Sequence, residues 1–279
     1  MTNALKWLKK NFMVLLMWVS AIIFILPFYI AFVTSFKTPL ESAKSLLSLP
    51  TVFHFENYAQ ALKMSSFFVS LKNSLIFTIC SVVLIIVSAS MAAYVIARNM
   101  KRKRFYAFLE KFFLAAIPVA FEIIMIPVYQ LFYQMNLINT LPGAIIAKVG
   151  MSIPFALFMF IGFIKTIPVE LEEAAYIDGA GKHRTFWTIV FPLLKPAVAS
   201  LAAAQILWTW NDFSVSLILL QKDSVKTIPL QQFVFFGQYT SNFNLGFAAA
   251  IVSMIPIYIF FAAAQKYIVA GMTTGAVKG

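Results

Sequence analysis

Apolar residues fill this chain in long runs, and charges gather in the short gaps between them. A helix needs roughly 20 apolar residues to cross a bilayer. Six runs meet that length, at about 12–34, 71–97, 112–134, 143–165, 196–220 and 245–267. They are apolar on every side, which marks them as helices whose solvent is lipid or other helices. The first follows "MTNALKWLKKN". It is too long for a signal-peptide core and no small-residue cleavage site follows it, so it reads as a retained helix. The expected fold is all-α: one polytopic membrane domain over 1–279 with six transmembrane helices.

One stretch departs from this pattern. "EEAAYIDGAGKHRTFWTIVFPLLKP", residues 172–196, brings back charges, small residues, two glycines and two prolines. Between Pro168 and Pro196 the pattern becomes amphipathic. Pro168 and an acidic first turn suit a helix N-terminus. Leu171, Ala174, Ala175 and Asp178 follow at helical spacing, and the two alanines offer a small surface to another backbone. Gly179 and Gly181 break that helix and allow a turn. "KHRTFWTIVFP" then resumes as a second short helix with Phe186, Ile189 and Val190 on its apolar side. Such a helix–turn–helix fits a partner's groove, and it equally fits a pair of helices lying on lipid headgroups.

Composition supports the membrane reading. Hydrophobic residues make up 61%, charged residues only 11%, and the mean hydropathy is +0.86. A soluble domain is about a quarter charged. The net charge of +12 would suggest nucleic acid in a soluble protein. Here it distributes as the positive-inside rule requires, and no nucleic-acid partner is implied. With the N-terminus inside, cytoplasmic segments hold fifteen of the 22 Lys and Arg, outer segments six, and Lys148 lies within a span. The densest cluster, "RNMKRKR", occupies a short loop. Both termini are thus expected in the cytoplasm, as is the 168–196 loop between helices four and five. Cys80 is one thiol in an apolar run, and His54 and His183 lie far apart, so no disulfide framework and no metal site are expected.

Ionisable residues within spans are functional candidates by default. Lys148 lies near the outer end of helix four, from which it can snorkel. Glu122 sits near the middle of helix three, with Tyr129 and Tyr133 continuing its face. On helix five, Gln205, Thr209, Asp212 and Ser216 form one polar stripe beside Asn211, Trp208 and Trp210. Aromatic faces with amides and carboxylates are what a sugar path needs. The alternative is helix packing through interhelical hydrogen bonds, or an acidic residue paired with Lys148 for stability alone. Ser70, Ser74, Thr78 and Ser81 on helix two read as packing.

"GAGKH" resembles the end of a phosphate-binding loop, but that motif needs Gly and Ser or Thr where Tyr176 and His183 stand. No ATP site is expected on this chain. "EAAYIDGAGKHRTFWTIVFP" instead resembles the EAA loop of ATP-binding-cassette (ABC) importer permeases. Glu173-Ala174-Ala175, Gly179, Ile189 and Pro192 match that pattern in residue and spacing, with Phe191 in place of Leu. "WNDF" (Trp210 to Phe213) resembles the family's helix-five signature, and "QKYIVAGMTTGAVKG" (Gln265 to Gly279) its C-terminus, with Met272 where Leu is usual. The likeness spans nearly the whole chain and is greatest to the shorter, MalG-type permease of maltose and multiple-sugar importers.

That resemblance implies a permease domain over 1–279 with the EAA loop at 168–196 and a tail at 268–279. It implies that Glu173, Ala174, Ala175, Asp178, Gly179 and Gly181 belong to coupling helices docking on an ATPase subunit, with Gly275, Val277, Lys278 and Gly279 as a tail contact to the same partner. Two ATPases would carry the ATP and Mg; this chain would bind no cofactor and would not itself be an enzyme. A second permease and an extracellular or periplasmic solute-binding protein would complete the assembly in a bacterial cytoplasmic membrane. Asp212, Asn211, Gln205, Thr209, Glu122 and Tyr129 are the candidates for the solute path. Other readings are a permease for a non-sugar polar solute such as a phosphorylated polyol, or an ion-coupled secondary transporter using Glu122 and Asp212. A channel or structural subunit is a third. The last two leave the EAA loop without a role.

Overall fold

The computed structural model describes the backbone of residues 2–235 and 242–276, and side chains within 11–235, 242–263 and at 265. All secondary structure among them is helical. The order is α1 (Thr2–Ser35), α2 (Pro39–Lys44), α3 (Glu56–Met64), α4 (Phe67–Asn99), α5 (Arg104–Ala116), α6 (Phe121–Gln134), α7 (Leu141–Ile164), α8 (Glu170–Ile177), α9 (Lys182–Thr185), a π-helical turn (Phe186–Val190), α10 (Phe191–Leu193), α11 (Lys195–Trp210), α12 (Ser214–Leu219), α13 (Ile228–Gln231) and α14 (Phe243–Ala276).

Among the described residues four helices are long and apolar enough to cross a membrane: Asn11–Ser35 of α1, α4, α7, and Phe243–Ala263 of α14. Two further pairs pass the same test together but are bent. The α5–α6 pair turns by 107°, and Lys182–Leu193 with α11 by 74°. The count is six if each bent pair is one span. The first bend has a local cause. Pro118, in the gap after α5, has no N–H to donate, so the helical ladder cannot continue through it. The run predicted at 112–134 therefore contains a corner. The run predicted at 196–220 is interrupted too, at Asn211–Phe213 between α11 and α12.

The chain divides into two compact units, Met1–Phe67 with Gln232–Ile255, and Phe68–Gln231 with Pro256–Gly279. In the first unit, Phe12, Met13, Leu15, Leu16, Met17 and Trp18 of α1 are all more than half exposed, as suits a helix bathed in lipid. Beyond α1 the chain folds on polar ties. Asn244 donates to the carbonyls of Thr34 and Lys37 at 2.9 and 2.8 Å. Lys37 is fully buried, its ammonium donating to the Ser45 carbonyl and the Ser48 hydroxyl. A capping box starts α2: the Thr38 hydroxyl accepts from the Glu41 N–H, and the Glu41 carboxylate accepts from the Thr38 N–H. That carboxylate also accepts from the Thr51 hydroxyl and N–H. These bonds, the Thr51 hydroxyl foremost, hold the Glu41 carboxyl down at about 2.

The second unit has two apolar clusters. In one, Ile85, Ala89, Ala93 and Ile96 of α4 meet Ala156, Leu157, Phe160, Ile161 and Ile164 of α7. Phe186 and Val190 of the π-helical turn, with Leu194, Ala197 and Leu201, pack into the same cluster. In the other, Phe77 of α4 and Phe132 of α6 meet Val215, Ile218 and Leu219 of α12. Ser70, Ser74, Thr78 and Ser81 of α4 are all buried. Gly143 opens α7 so close to the preceding turn that a Cβ there would overlap the Leu137 carbonyl oxygen.

Candidate functional site

Residues 168–196 fold as two short helices around a glycine turn. The first, α8, ends in a Schellman cap. Gly179 adopts φ +78°, its N–H donates to the Tyr176 carbonyl at 3.1 Å, and the Ala180 N–H donates to the Ala175 carbonyl at 2.9 Å. That left-handed position costs a residue with a Cβ about 1–2 kcal/mol, which explains the glycine. Gly181 has ordinary extended backbone at the start of α9. Its carbonyl accepts both the Thr185 N–H and the Thr185 hydroxyl.

The two faces of α8 are chemically distinct. Glu172 and Ala175 are buried. Leu171, Glu173, Ala174, Tyr176, Ile177 and Asp178 are exposed, Ile177 by 88%. The inward face is therefore Glu172 with Ala175, whereas spacing alone grouped Leu171, Ala174 and Ala175. The difference has a physical cause 74 residues earlier in the chain. Arg98, in the last turn of α4, donates through Nε and Nη2 to Glu172 Oε1 at 2.7 and 2.6 Å. Its Nη2 also donates to the Ile167 carbonyl at 3.0 Å. The Tyr94 hydroxyl donates to Glu172 Oε2 at 2.8 Å and lies 3.3 Å from the Tyr176 hydroxyl. A buried carboxylate is tolerable only with such partners. Sequence reasoning missed Tyr94, Arg98 and Glu172, because Glu172 already had a local explanation in the helix dipole and Arg98 in the positive-inside rule.

The second cluster of interest surrounds the break in helix five. Asp212 Oδ1 accepts from the N–H groups of Val215 and Ser216 at 3.1 and 3.3 Å, capping α12. That alternative to an unbroken helix is what short acidic side chains offer. Its Oδ2 accepts from Lys148 Nζ at 2.8 Å, and Lys148 also reaches the Trp208 carbonyl at 3.3 Å. Both side chains are nearly buried, at 12% and 8% exposure for Lys148 and Asp212. Glu122 lies in the first turn of α6, just past the α5–α6 corner, and not mid-helix. It is exposed, and the Ser214 hydroxyl donates to it at 3.0 Å. The fold thus brings Glu122 to the helix-five break from 92 positions away. Asn211 is exposed there, and Trp208 is half-exposed. Tyr129 stacks on Tyr133 along α6, ring centroids 6.2 Å apart.

The rest of the predicted stripe faces inward. Gln205 and Thr209 are each 1% exposed, and Ser216 is fully buried, bonded to Thr227 at 3.1 Å. The break between Trp210 and Ser214 resets the helical register, so the 4-3-4 spacing does not run as one line. Of the tail residues, Gly275 lies in the last turn of α14, and Val277, Lys278 and Gly279 lie outside the described residues. Among the described residues no cluster of His, Cys, Asp and Glu has metal-site geometry.

Residues 86–274 match the family of the binding-protein-dependent transport system inner membrane component. The chain belongs to this family. It is 35% identical over 260 residues to the probable starch degradation products transport system permease protein AmyC of Thermoanaerobacterium thermosulfurigenes, covering 93% of this chain and 94% of that one. It is 37% identical over 267 residues to the multiple sugar-binding transport system permease protein MsmG of Streptococcus mutans, covering 94% and 95%. The melibiose/raffinose/stachyose import permease protein MelC of Bacillus subtilis is 36% identical over 255 residues, covering 91% of each. A solved bacterial ABC transporter that imports the acidic polysaccharide alginate matches with a TM-score of 0.79 at 22% identity, over 92% of this chain and 95% of that one. This family member is a multi-pass membrane protein with the ABC-transporter permease fold.

Proposed function

We propose that this chain is one transmembrane subunit of an ABC importer in a bacterial cytoplasmic membrane, forming with a second permease the path for a sugar or oligosaccharide. An extracellular or periplasmic binding protein delivers the solute, and two separate ATPase subunits hold the ATP and Mg. With six spans both termini lie on one side of the membrane, and the Lys and Arg bias supports the cytoplasm for them and for the α8–α9 loop. The carbohydrate assignment is supported by relatives whose names specify starch degradation products, multiple sugars and raffinose-type sugars. The binding-protein partner is supported by the family description.

The observation that carries the reading is the outward face of α8. A short loop helix exposes Ile177, Leu171 and Ala174 around Glu173, with its far end fixed by the Gly179 cap. Burying Ile177 alone in a groove is worth about 1.5–3 kcal/mol. That exceeds the roughly 0.3–1 kcal/mol of a helix-terminus charge contact, so apolar docking supplies the grip and Glu173 the register. Gly275, Val277, Lys278 and Gly279 add a tail contact to the same ATPase. In the solute path, Glu122, Asn211 and Tyr129 touch the sugar, while Asp212, Gln205 and Thr209 shape the wall behind them.

The test is reconstitution in proteoliposomes with the second permease, the ATPase and the binding protein. Oligosaccharide uptake is expected to need ATP and to persist when ion gradients are collapsed. Glu173→Lys and Gly179→Pro are expected to leave the protein in the membrane and abolish uptake. Normal uptake with both substitutions, or uptake that stops with the ion gradient, refutes the assignment.

A further inference from the structure

We propose that Arg98 and Glu172 form a clamp that delivers the movement of α8 to α4, making them positioning residues for coupling; the idea rests on the importer reading above. Glu173 and Glu172 are neighbours with opposite exposures, one toward the partner and one 3% exposed inside the chain. The outward residue grips the ATPase and the inward one grips α4. Arg98 is suited to this because its planar guanidinium meets the carboxylate through two nitrogens and holds the Ile167 carbonyl as well. It ties the last turn of α4 both to the entry of the loop and to the coupling helix. Tyr94, one turn earlier on α4, holds the second carboxylate oxygen.

The remaining contacts of the loop with the body of the unit include Ala175, Phe186 and Val190, which are apolar. Apolar surfaces can slide past one another while staying buried, because the hydrophobic effect has no direction. A buried ion pair cannot be drawn apart without leaving an uncompensated charge. The clamp therefore moves as one piece. From it α4 continues as one helix of 33 residues. Its far half reaches the second cluster, which holds Phe77 together with Val215, Ile218 and Leu219 of α12, and the Ser74 hydroxyl accepts the Ile228 N–H at 2.9 Å. Displacement of α8 is thereby carried to the elements around the helix-five break.

The discriminating quantity is ATP hydrolysed per oligosaccharide imported, measured on the full reconstituted complex, with ATPase retention measured on the same samples. Arg98→Ala and Glu172→Gln are expected to keep the ATPases bound and hydrolysing while the ratio rises by about fivefold or more. Arg98→Lys, which keeps the charge but not the fork, is expected to fall between Ala and the parent. Tyr94→Phe removes the hydroxyl's bonds to Glu172 and Tyr176 and leaves the ion pair, so it gives a readable, smaller rise even if the other variants assemble poorly. A parental ratio in Arg98→Ala, Glu172→Gln and Tyr94→Phe overturns the clamp, whatever happens to the amount of complex. The docking reading fails differently: ATPases then stay bound and coupled in Glu173→Lys. A parental ratio in the clamp variants, with ATPase release in Glu173→Lys, sinks the clamp alone.

Discussion

Removing the charge of Asp212 tests why helix five is broken where it is. Its carboxylate does two separable things: it caps α12 through Oδ1 and neutralises Lys148 through Oδ2. At 2.8 Å the gross attraction of the pair is about 6 kcal/mol for an effective dielectric of 20, much of it offset by the cost of leaving water. Asp212→Asn keeps an oxygen for the cap but strands a nearly buried ammonium, at a cost of about 3–5 kcal/mol. Asp212→Ala loses the cap as well, for about 1 kcal/mol more. Lys148→Met leaves the carboxylate its two α12 N–H donors, so its loss is smaller. The pair Lys148→Met with Asp212→Asn leaves no charge and is expected to recover most of the stability. The assay is the thermal midpoint of the purified complex, followed by fluorescence-detected size exclusion, together with uptake per assembled complex. The expected order is parent, double variant, Lys148→Met, Asp212→Asn and Asp212→Ala, from most to least stable. If the double variant loses the sum of the two single losses, the groups do not interact and the argument is wrong. Normal stability with reduced uptake per complex in Asp212→Asn would move Asp212 from the wall of the path to the solute itself.

Three further outcomes are expected. After Cys80, which is exposed on α4, is replaced by Ser, a cysteine at Asp223 should react with an impermeant label from outside intact cells, and one at Arg102 should not; reversed reactivity overturns the orientation. Gly143→Ala should sharply lower the amount of assembled protein, because the added methyl meets a backbone carbonyl that cannot swing away; parental levels would show that the α7 start can shift. Glu41 is ionised in the fold down to about pH 2, against an ordinary value of 4.5, so the stability it gives the 38–51 segment is complete above about 4.5 and is lost as pH falls toward 2. Amide exchange in 38–44 should accelerate over that window and at neutral pH in Glu41→Gln, and a flat acid profile would contradict the role of its hydrogen bonds.

Much of this was legible in the sequence because it is local. Apolar runs of membrane length are a property of consecutive residues, and so is the helical character that follows from them in a solvent that cannot satisfy open backbone groups. Gly179 announces a left-handed turn because other residues pay to adopt it, and the EAA spacing carried the family with it. The tertiary structure alone decided which charges meet. Arg98 and Glu172 are 74 residues apart, and Lys148 and Asp212 are 64 apart. Each pairing depends on how helices are rotated about their axes, which hydropathy does not report when every face is apolar. The same ambiguity hid the burial of Gln205 and Thr209 and the meeting of Glu122 with Ser214. A charged residue in lipid finds its partner through packing, and packing is a relation between segments that no single segment encodes.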